Sequence, residues 1–296
     1  MAMALLAALI AAVYSGDGYI QRGGPSLFDF DDTHTAYIDL DGNERDLHLF
    51  RFNATYPAAY DTIIAQTDEA PIVVDLYGHP GSETSRILSQ LKLVETIGTH
   101  HDIWIFQSGK NDAAIFGGNP SFMEANYRNY LNQAIDYAQN LGVLIIVQEI
   151  EPISVDVVAA RSDQNYAETL QNLIIQLNSA SAEICETRAI PYVETFDEFL
   201  PHYTTDADSW VRNPANGGGN DGTHPSAIGT GELAGRWWGE IRNHIGGFDP
   251  VRVAVFGDSI SASVPLEPIQ KRPASWLAFR ASTDTIPVEL SQFQLE

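Results

Sequence analysis

Residues 251–256 read VRVAVF, an apolar, β-branched run of the kind that forms a buried strand. Similar runs occupy residues 72–76, 103–106 and 143–147, and segments with helical periodicity separate them. Near-continuous apolar strands that alternate with helices are typical of a mainly parallel sheet with helices on both faces. The sequence therefore predicts an α/β fold, built as a three-layer α/β/α sandwich.

Signals for individual helices and strands support this prediction. A long helix is expected from Ser121 to Gly142, because apolar residues recur on one side and a glycine commonly follows the last helical turn. A further helix is expected after Pro225, and a short strand around residues 192–193. Ligands of such folds bind at the carboxyl ends of the strands.

The composition narrows the class of partner. The chain has 296 residues, and its 44% hydrophobic content supplies a sizeable core. A net charge of −23 argues against nucleic acid as a partner, because binding a phosphate backbone requires clustered Lys and Arg. The single Cys185 cannot form an intrachain disulfide, so it does not indicate a redox compartment.

Residues 1–70 are predicted to form an extension of a main domain at 71–296. The apolar run at 1–13 is shorter than the roughly 20 residues of a membrane span. No basic residue precedes Arg22, which argues against a secretory signal. We expect a packed helix, against its own domain or a neighbouring subunit, and in the second case a homo-oligomer or a larger assembly.

Residues 35–52 alternate apolar and polar side chains on both sides of Asp41-Gly42-Asn43. This pattern predicts a β-hairpin with a glycine-containing turn. The acidic residues around the turn lack the glutamate that completes a calcium-binding loop, so turn formation is the better interpretation.

Polar residues follow the predicted strands at the edge where ligands bind. Gly257-Asp258-Ser259 follows 251–256, residues 107–112 follow 103–106, and residues 77–85 follow 72–76. The segment 221–225, Asp-Gly-Thr-His-Pro, precedes a helix. Each motif alone is weak, since a turn, a solvated carboxylate or a residue at a helix start explains it equally well. Their shared position at one edge favours a site.

These residue types suit acyl transfer to a serine. A serine hydroxyl needs an imidazole to accept its proton, and the imidazole needs a carboxylate to orient it. Asp221 and His224 can reach one another locally, leaving the ring free to face Ser259. Donors for the developing oxyanion are the N–H groups of Ser259 and Gly81 and the amide of Asn111. This chemistry requires no metal and no cofactor. A metal site formed by His100, His101 and nearby carboxylates is the weaker alternative, because adjacent histidines in a strand point to opposite faces.

The same motifs resemble those of the SGNH (GDSL-type) hydrolases. The matching segments are FGDSIS (256–261), YGHPGSETS (77–85), GKND (109–112) and DGTHPSAIGTGELA (221–234). The resemblance implies an SGNH-hydrolase, flavodoxin-like sandwich over about 72–296. It implies the following roles: Ser259 as nucleophile, His224 as base, Asp221 as its orienting acid, and Gly81 and Asn111 as oxyanion donors, with Gly78 competing for the role of Gly81.

The order of the motifs departs from the family, in which the serine motif comes first. Here it comes last, so we expect a circular permutation, with the last helix joined to the serine strand through residues 246–250. Permutation is physically tolerated where chain termini lie close together.

The resemblance implies an acyl ester as substrate, and the nearby loop suggests its class. The polar loop at 201–222 is expected to shape the pocket through His202, Tyr203, Trp210 and Asn213, which suit sugar rings or serve as loop anchors. We therefore expect a short-chain esterase that removes acetyl groups from carbohydrate. The alternative is a structural or polysaccharide-binding component of a virion or surface assembly. We expect an extracellular location, or one on a virion or another surface, for either function.

Overall fold

The computed structural model describes residues 30–38, 44–52, 61–65, 72–78, 81–96, 101–115, 119–244, 251–262 and 277. Within them, one sheet has the strand order β1-β2-β3-β4-β8-β5-β6-β7. The strands are β1 (Phe30–Ile38), β2 (Glu44–Phe52), β3 (Asp61–Ala65), β4 (Ile72–Gly78), β5 (Ile103–Gln107), β6 (Leu144–Gln148), β7 (Tyr192–Val193) and β8 (Val251–Gly257).

Helices connect the strands of the parallel half of the sheet. They are α1 (Thr84–Thr96), α2 (Lys110–Ile115), α3 (Pro120–Leu141), α4 (Val155–Arg161), α5 (Gln164–Arg188), α6 (Phe196–Phe199), α7 (Ala227–His244) and α8 (Ser259–Ala262). A 3₁₀ turn at Leu200–His202 follows α6. Among the described helices, none has the length and apolar character needed to cross a membrane.

The sheet is parallel where the predicted site residues are found. Strands β4, β8, β5, β6 and β7 are parallel, and β8 lies between β4 and β5 although it is the last of them in the chain. The register pairs Gly78 with Gly257 and Phe106 with Phe256, so these three strands end at the same level. This arrangement confirms the predicted mainly parallel α/β fold.

Alternate side chains of the central strands pack against helices on opposite faces. Trp104 and Phe106 of β5 join a core with residues of α1, α3 and α5, whereas Ile103 and Ile105 join a core with Trp237 of α7. Coverage of both faces explains why the central strands are nearly continuous apolar runs. The predicted three-layer sandwich is therefore confirmed.

Strands β1, β2 and β3 add an antiparallel part to the same sheet. β1 pairs with β2 from Phe30↔Phe52 to Ile38↔Glu44, as a hairpin requires, and β3 continues the antiparallel order to β4. The predicted turn at 41–43 and the apolar run at 1–13 lie outside the described residues. The boundary between residues 1–70 and 71–296 remains a prediction.

The long helix α3 ends where the sequence predicts but begins one residue before the expected Ser121. Asn119 precedes Pro120 and accepts a hydrogen bond from the Phe122 N–H, which is the contact of an N-terminal cap. At the other end, Gly142 has φ +73°, and its N–H caps the final carbonyl groups of the helix. Gly142 therefore serves as the predicted stop signal.

Candidate active site

The turn that presents Ser259 is fixed by close packing and hydrogen bonds. β8 ends at Gly257, and a Cβ there would lie 2.7 Å from Gln107 Oε1 and still closer to Ser261 Oγ. Ser261 Oγ donates to Gln107 Oε1 at 3.0 Å, and the Ile260 N–H donates to Asp258 Oδ1 at 2.8 Å. A side chain at 257 would therefore displace Ser261 and Gln107, and Ser259 lies two residues beyond this glycine, at the carboxyl end of the central strand.

The segment containing Asp221 and His224 is held by a short stretch of antiparallel pairing. Val211 forms a bridge with Pro225, the Arg212 N–H donates to the His224 carbonyl at 2.9 Å, and the Gly222 N–H donates to the Arg212 carbonyl at 2.9 Å. Gly222 has φ +67°, and a Cβ at this position would lie about 3 Å from Val157. The backbone therefore turns at a glycine between the two predicted site residues.

The structure brings Ser259, His224 and Asp221 together. His224 Nε2 lies 2.8 Å from Ser259 Oγ, and His224 Nδ1 lies 2.9 Å from both carboxylate oxygens of Asp221. Because a carboxylate only accepts, Nδ1 of a neutral imidazole donates to Asp221, and Nε2 accepts from the Ser259 hydroxyl. The arrangement can withdraw a proton from Ser259.

Asp221 is stabilised in its ionised form. Burial raises the pKa of this carboxyl, but hydrogen bonds from His224 and Thr223 lower it, and the result is a pKa of about 2. Thr223 Oγ1 donates at 2.7 Å, and the Thr223 and His224 N–H groups donate at 3.1 and 3.2 Å. Arg212 Nε lies 3.6 Å from Asp221 Oδ2. A negative charge therefore faces the imidazole at neutral pH.

Asn111 reaches the serine turn through Asp258. Its Nδ2 donates to Asp258 Oδ2 at 2.9 Å and to the Ser82 carbonyl at 3.1 Å. Both amide hydrogens thus have protein acceptors in the structure. Burial raises the pKa of Asp258 to about 6, helped by Glu151 and opposed by the Ile260 N–H, Lys110 and His224. Donation from Asn111 to a substrate oxygen therefore requires one of these two bonds to lengthen.

Gly81 lies at the start of the segment that leads into α1. It is exposed with φ +76°, a backbone conformation that favours glycine. Asp112 ties this segment to α2, since Oδ2 accepts from the N–H and the hydroxyl of Thr84, each at 3.0 Å. Burial raises the pKa of Asp112 to about 6. The choice between Gly81 and Gly78 as amide donor remains a prediction.

The loop at 201–222 contains the four aromatic and polar residues that the sequence singled out, and two of them are buried. Tyr203 and Asn213 are buried, and Asn213 Nδ2 donates to the carbonyl groups of Thr204 and Asp206 at 3.0 and 2.8 Å. These two residues therefore serve as loop anchors, which is one of the two roles that the sequence left open for them. His202 is exposed, and its ring stacks on half-buried Trp210 with the centroids 3.9 Å apart.

A cleft adjoins this loop on the side of α4. Its volume is about 430 Å³, and its lining includes Asp156, Val157, Thr205, Pro214 and Asn220. Val157 also packs beside Gly222, so the cleft shares a wall with the segment that carries Asp221. His100, one of the two histidines considered as metal ligands, lies outside the described residues. Within the described residues, no cluster of three or more His, Cys, Asp or Glu side chains could hold a metal ion.

Sequence reasoning did not assign roles to Lys110 or Asp112. Both belong to the quoted GKND motif, and both are buried at the carboxyl edge of the sheet. Charged residues are seldom buried without partners, so two ionisable side chains beside Asn111 could have indicated contacts with neighbouring segments. The sequence gives no means of identifying those partners, because they lie tens of residues away.

A comparison with protein families gives one match. The model of the GDSL-like Lipase/Acylhydrolase family matches residues 35–230, which is more than half of the chain. This range includes Gly81, Asn111, Asp221 and His224, whereas Ser259 lies beyond its end. A comparison with curated proteins gave no match.

Proposed function

Because the chain belongs to the GDSL-like lipase/acylhydrolase family, we propose that it is a serine esterase that hydrolyses short-chain acyl esters. The observation that carries the proposal is the continuous contact from Asp221 through His224 to Ser259, with distances of 2.9 and 2.8 Å. These three side chains have the geometry that serine activation requires.

In the proposed mechanism, Ser259 Oγ attacks the ester carbonyl while His224 Nε2 accepts its proton. Asp221 holds Nδ1–H and stabilises the imidazolium that forms. The tetrahedral intermediate collapses when His224 gives the proton to the departing alcohol oxygen, which leaves an acyl group on Ser259. A water molecule, deprotonated by His224, then attacks the acyl carbonyl, and the proton returns to Ser259 as the acid is released.

The oxyanion is stabilised by the N–H groups of Ser259 and Gly81 and by Asn111 Nδ2. Removing one such donor from an enzyme costs about 3 kcal/mol in transition-state stabilisation. Asn111 supplies its donor by lengthening its bond to Asp258 or Ser82. Asp258 Oδ1 keeps the bond from the Ile260 N–H during this change.

The proposed substrate is an acetylated carbohydrate, either a small molecule or a polysaccharide. The exposed His202 ring stacked on Trp210 supports this choice, since flat ring surfaces suit the faces of sugars. The Ser226 N–H donates to the Trp210 carbonyl at 2.8 Å, which joins this stack to the segment containing His224. In this proposal, a carbohydrate ester places its sugar ring on the stack and its ester group at Ser259.

The position of β8 supports the proposed circular permutation. The strand that precedes Ser259 comes last in the chain but pairs with β4 and β5 at the centre of the parallel strands. In a circular permutation, the strand before the serine keeps its position in the sheet, although its position in the chain changes.

A binding or structural role without catalysis is the alternative. The net charge of −23 and the apolar run at 1–13 favour an assembly component that grips polysaccharide. The ionised Asp221 beside His224 favours the esterase, because a pure binding site has no need for an activated serine.

The test is hydrolysis of 4-nitrophenyl acetate, with longer acyl chains for comparison and acetylated polysaccharide for released acetate. We expect activity that falls with chain length and is lost in Ser259→Ala. Ser179→Ala is the matched control, because this exposed serine donates only to the Ile175 carbonyl within α5. Full activity in Ser259→Ala would refute the assignment of the nucleophile.

A further inference from the structure

Lys110 is a buried cation that the proposed mechanism does not use. It begins α2 beside Asn111 and is only 5% exposed. Its Nζ donates to the carbonyl groups of Pro152 and Thr223, each at 3.1 Å, and lies 3.5 Å from Glu151 Oε2. The ammonium therefore joins the start of α2, the segment after β6, and the loop that carries Asp221 and His224.

Glu151 is held from its other side by a chain of hydrogen bonds. Trp237 Nε1 donates to Gln148 Oε1 at 2.6 Å, and Gln148 Nε2 donates to Glu151 Oε1. Because an indole N–H only donates, Trp237 fixes the orientation of the Gln148 amide. Glu151 Oε2 is buried without a hydrogen-bond partner among the described residues, so the Lys110 ammonium supplies the compensating charge.

The position of the charge suits the surrounding carboxylates. Burial lowers the pKa of Lys110 below its ordinary value, and the charges of Glu151, Asp258 and Asp221 oppose this shift only in part. An ammonium here lies among carboxylates that flank Ser259 and His224. A neutral side chain of the same length would leave Glu151 as a buried charge without a counter-ion, which is strongly unfavourable.

The contact with Thr223 is next to the reacting imidazole in the chain. Thr223 directly precedes His224 in the chain. The hydrogen bonds between this segment and Arg212 join two parts of the same loop, so they do not attach the loop to the sheet. Connection to the sheet comes through the residues after β6, where the Ser154 N–H donates to the Gly222 carbonyl at 2.8 Å and Lys110 bonds Pro152 and Thr223. Lys110 thus links the sheet edge to the residue directly before His224.

We propose that Lys110 is a positioning residue for this reaction. Its bonds to Thr223 and Pro152, together with its ion pair to Glu151, hold the His224 imidazole at the distance from Ser259 that proton transfer requires. The inference rests on the proposed esterase function. A displacement of about 1 Å in a reacting group can lower the rate of catalysis on the order of 100-fold, so loss of this link has a measurable effect.

The test compares variants on 4-nitrophenyl acetate, with rates expressed per active site titrated by a fluorophosphonate. Lys110→Met keeps the length of the side chain but removes its donors. Glu151→Gln keeps the acceptor for Gln148 but removes the counter-charge. The control is Arg188→Met, because Arg188 bonds Asn132 and Asp136 and joins α5 to α3 at the opposite edge of the sheet.

We expect Lys110→Met to lower kcat on the order of 100-fold with little change in KM, and Glu151→Gln to lower it about tenfold, because the bonds of Lys110 remain. Arg188→Met should lower the free energy of unfolding but leave kcat per titrated site unchanged. Such a pattern separates positioning from stability, since a merely structural role changes the titratable fraction and not the turnover of each site.

Wild-type kcat per site in Lys110→Met would overturn the inference, as would an equal loss in Arg188→Met. If Lys110→Met does not fold, Glu151→Gln decides: reduced kcat supports positioning, and unchanged kcat overturns it. Failure of the wild-type chain to hydrolyse esters or to react with the fluorophosphonate would instead refute the proposed function, and this inference with it.

Discussion

Replacing Asn111 with alanine tests two roles of one amide. In the structure, Asn111 Nδ2 bonds Asp258 Oδ2 at 2.9 Å and the Ser82 carbonyl at 3.1 Å. In the proposed reaction it also donates to the oxyanion. The substitution removes both functions, but stability reports the first and turnover reports the second.

The two effects differ in size. Loss of one oxyanion donor costs about 3 kcal/mol, which lowers kcat on the order of 10² to 10³-fold. Loss of the amide also removes a donor from the buried carboxyl of Asp258, which costs roughly 1–3 kcal/mol of stability. Protonation limits this second cost, because burial already raises the pKa of Asp258 to about 6.

The assay measures kcat and KM for 4-nitrophenyl acetate at several substrate concentrations, alongside unfolding in urea. Asn132→Ala is the control, since this half-buried residue on α3 bonds the Arg128 carbonyl and Arg188 away from the serine. We expect Asn132→Ala to change stability alone and Asn111→Ala to reduce kcat strongly. A kcat near the wild-type value in Asn111→Ala would refute the oxyanion role and leave Asn111 as a support for Asp258.

Three further predictions give separate tests. Gly257→Ala should abolish activity and destabilise the fold, because its Cβ would meet Gln107 Oε1. Gly239→Ala in α7 is the control: its Cβ has open space, so the free energy of unfolding in urea should rise by about 0.5–1 kcal/mol. Equal effects of the two substitutions would contradict the packing argument. Burial raises the pKa of Asp112 from 3.8 to about 6, so the folded chain holds the proton more tightly and stability falls as pH rises from 4 to 6. Asp112→Asn should make the free energy of unfolding less dependent on pH, removing on the order of 2–3 kcal/mol of its decrease between pH 4 and pH 6. Urea unfolding across that pH range measures the effect, and the same pH dependence in the variant and the wild type would contradict it. Trp210→Ala should raise KM for acetylated polysaccharide but not for 4-nitrophenyl acetate, and equal changes would argue against sugar contact.

The sequence was sufficient to predict the parallel core and the edge where the site lies. Apolar strands ending at Gly257, Gln107 and Gln148 indicated a sheet covered on both faces, and helices on both faces confirm this. The local spacing of Asp221 and His224 allowed their contact to be anticipated. Their approach to Ser259 followed from the rule that parallel strands end at one edge.

Other features depended on tertiary contacts that no local pattern reveals. The strand β3, DTIIA, was not identified from the sequence, because its apolar run is only three residues long and its pairing with β2 and β4 is a tertiary contact. For Tyr203 and Asn213 the sequence left open ligand contact or loop anchoring, and the structure shows anchoring, since both are buried and backbone carbonyl groups within the loop accept from Asn213. Polarity alone did not distinguish a ligand contact from a loop anchor.

The partners of Lys110 were also beyond prediction. The Thr223 carbonyl is 113 positions away in the chain, and its contact requires the segments after β5 and β6 to converge. A lysine beside a site residue normally indicates a solvated charge. The burial of Lys110, and therefore its contacts, can be recognised only in the folded structure.

Covalent labelling tests the central claim most directly. The account predicts that a fluorophosphonate adds once per chain, that peptide mass spectrometry locates the adduct on Ser259, and that His224→Ala reduces the labelling rate sharply. An adduct on another serine, or equal labelling rates with and without the His224 imidazole, would contradict activation of Ser259 by His224.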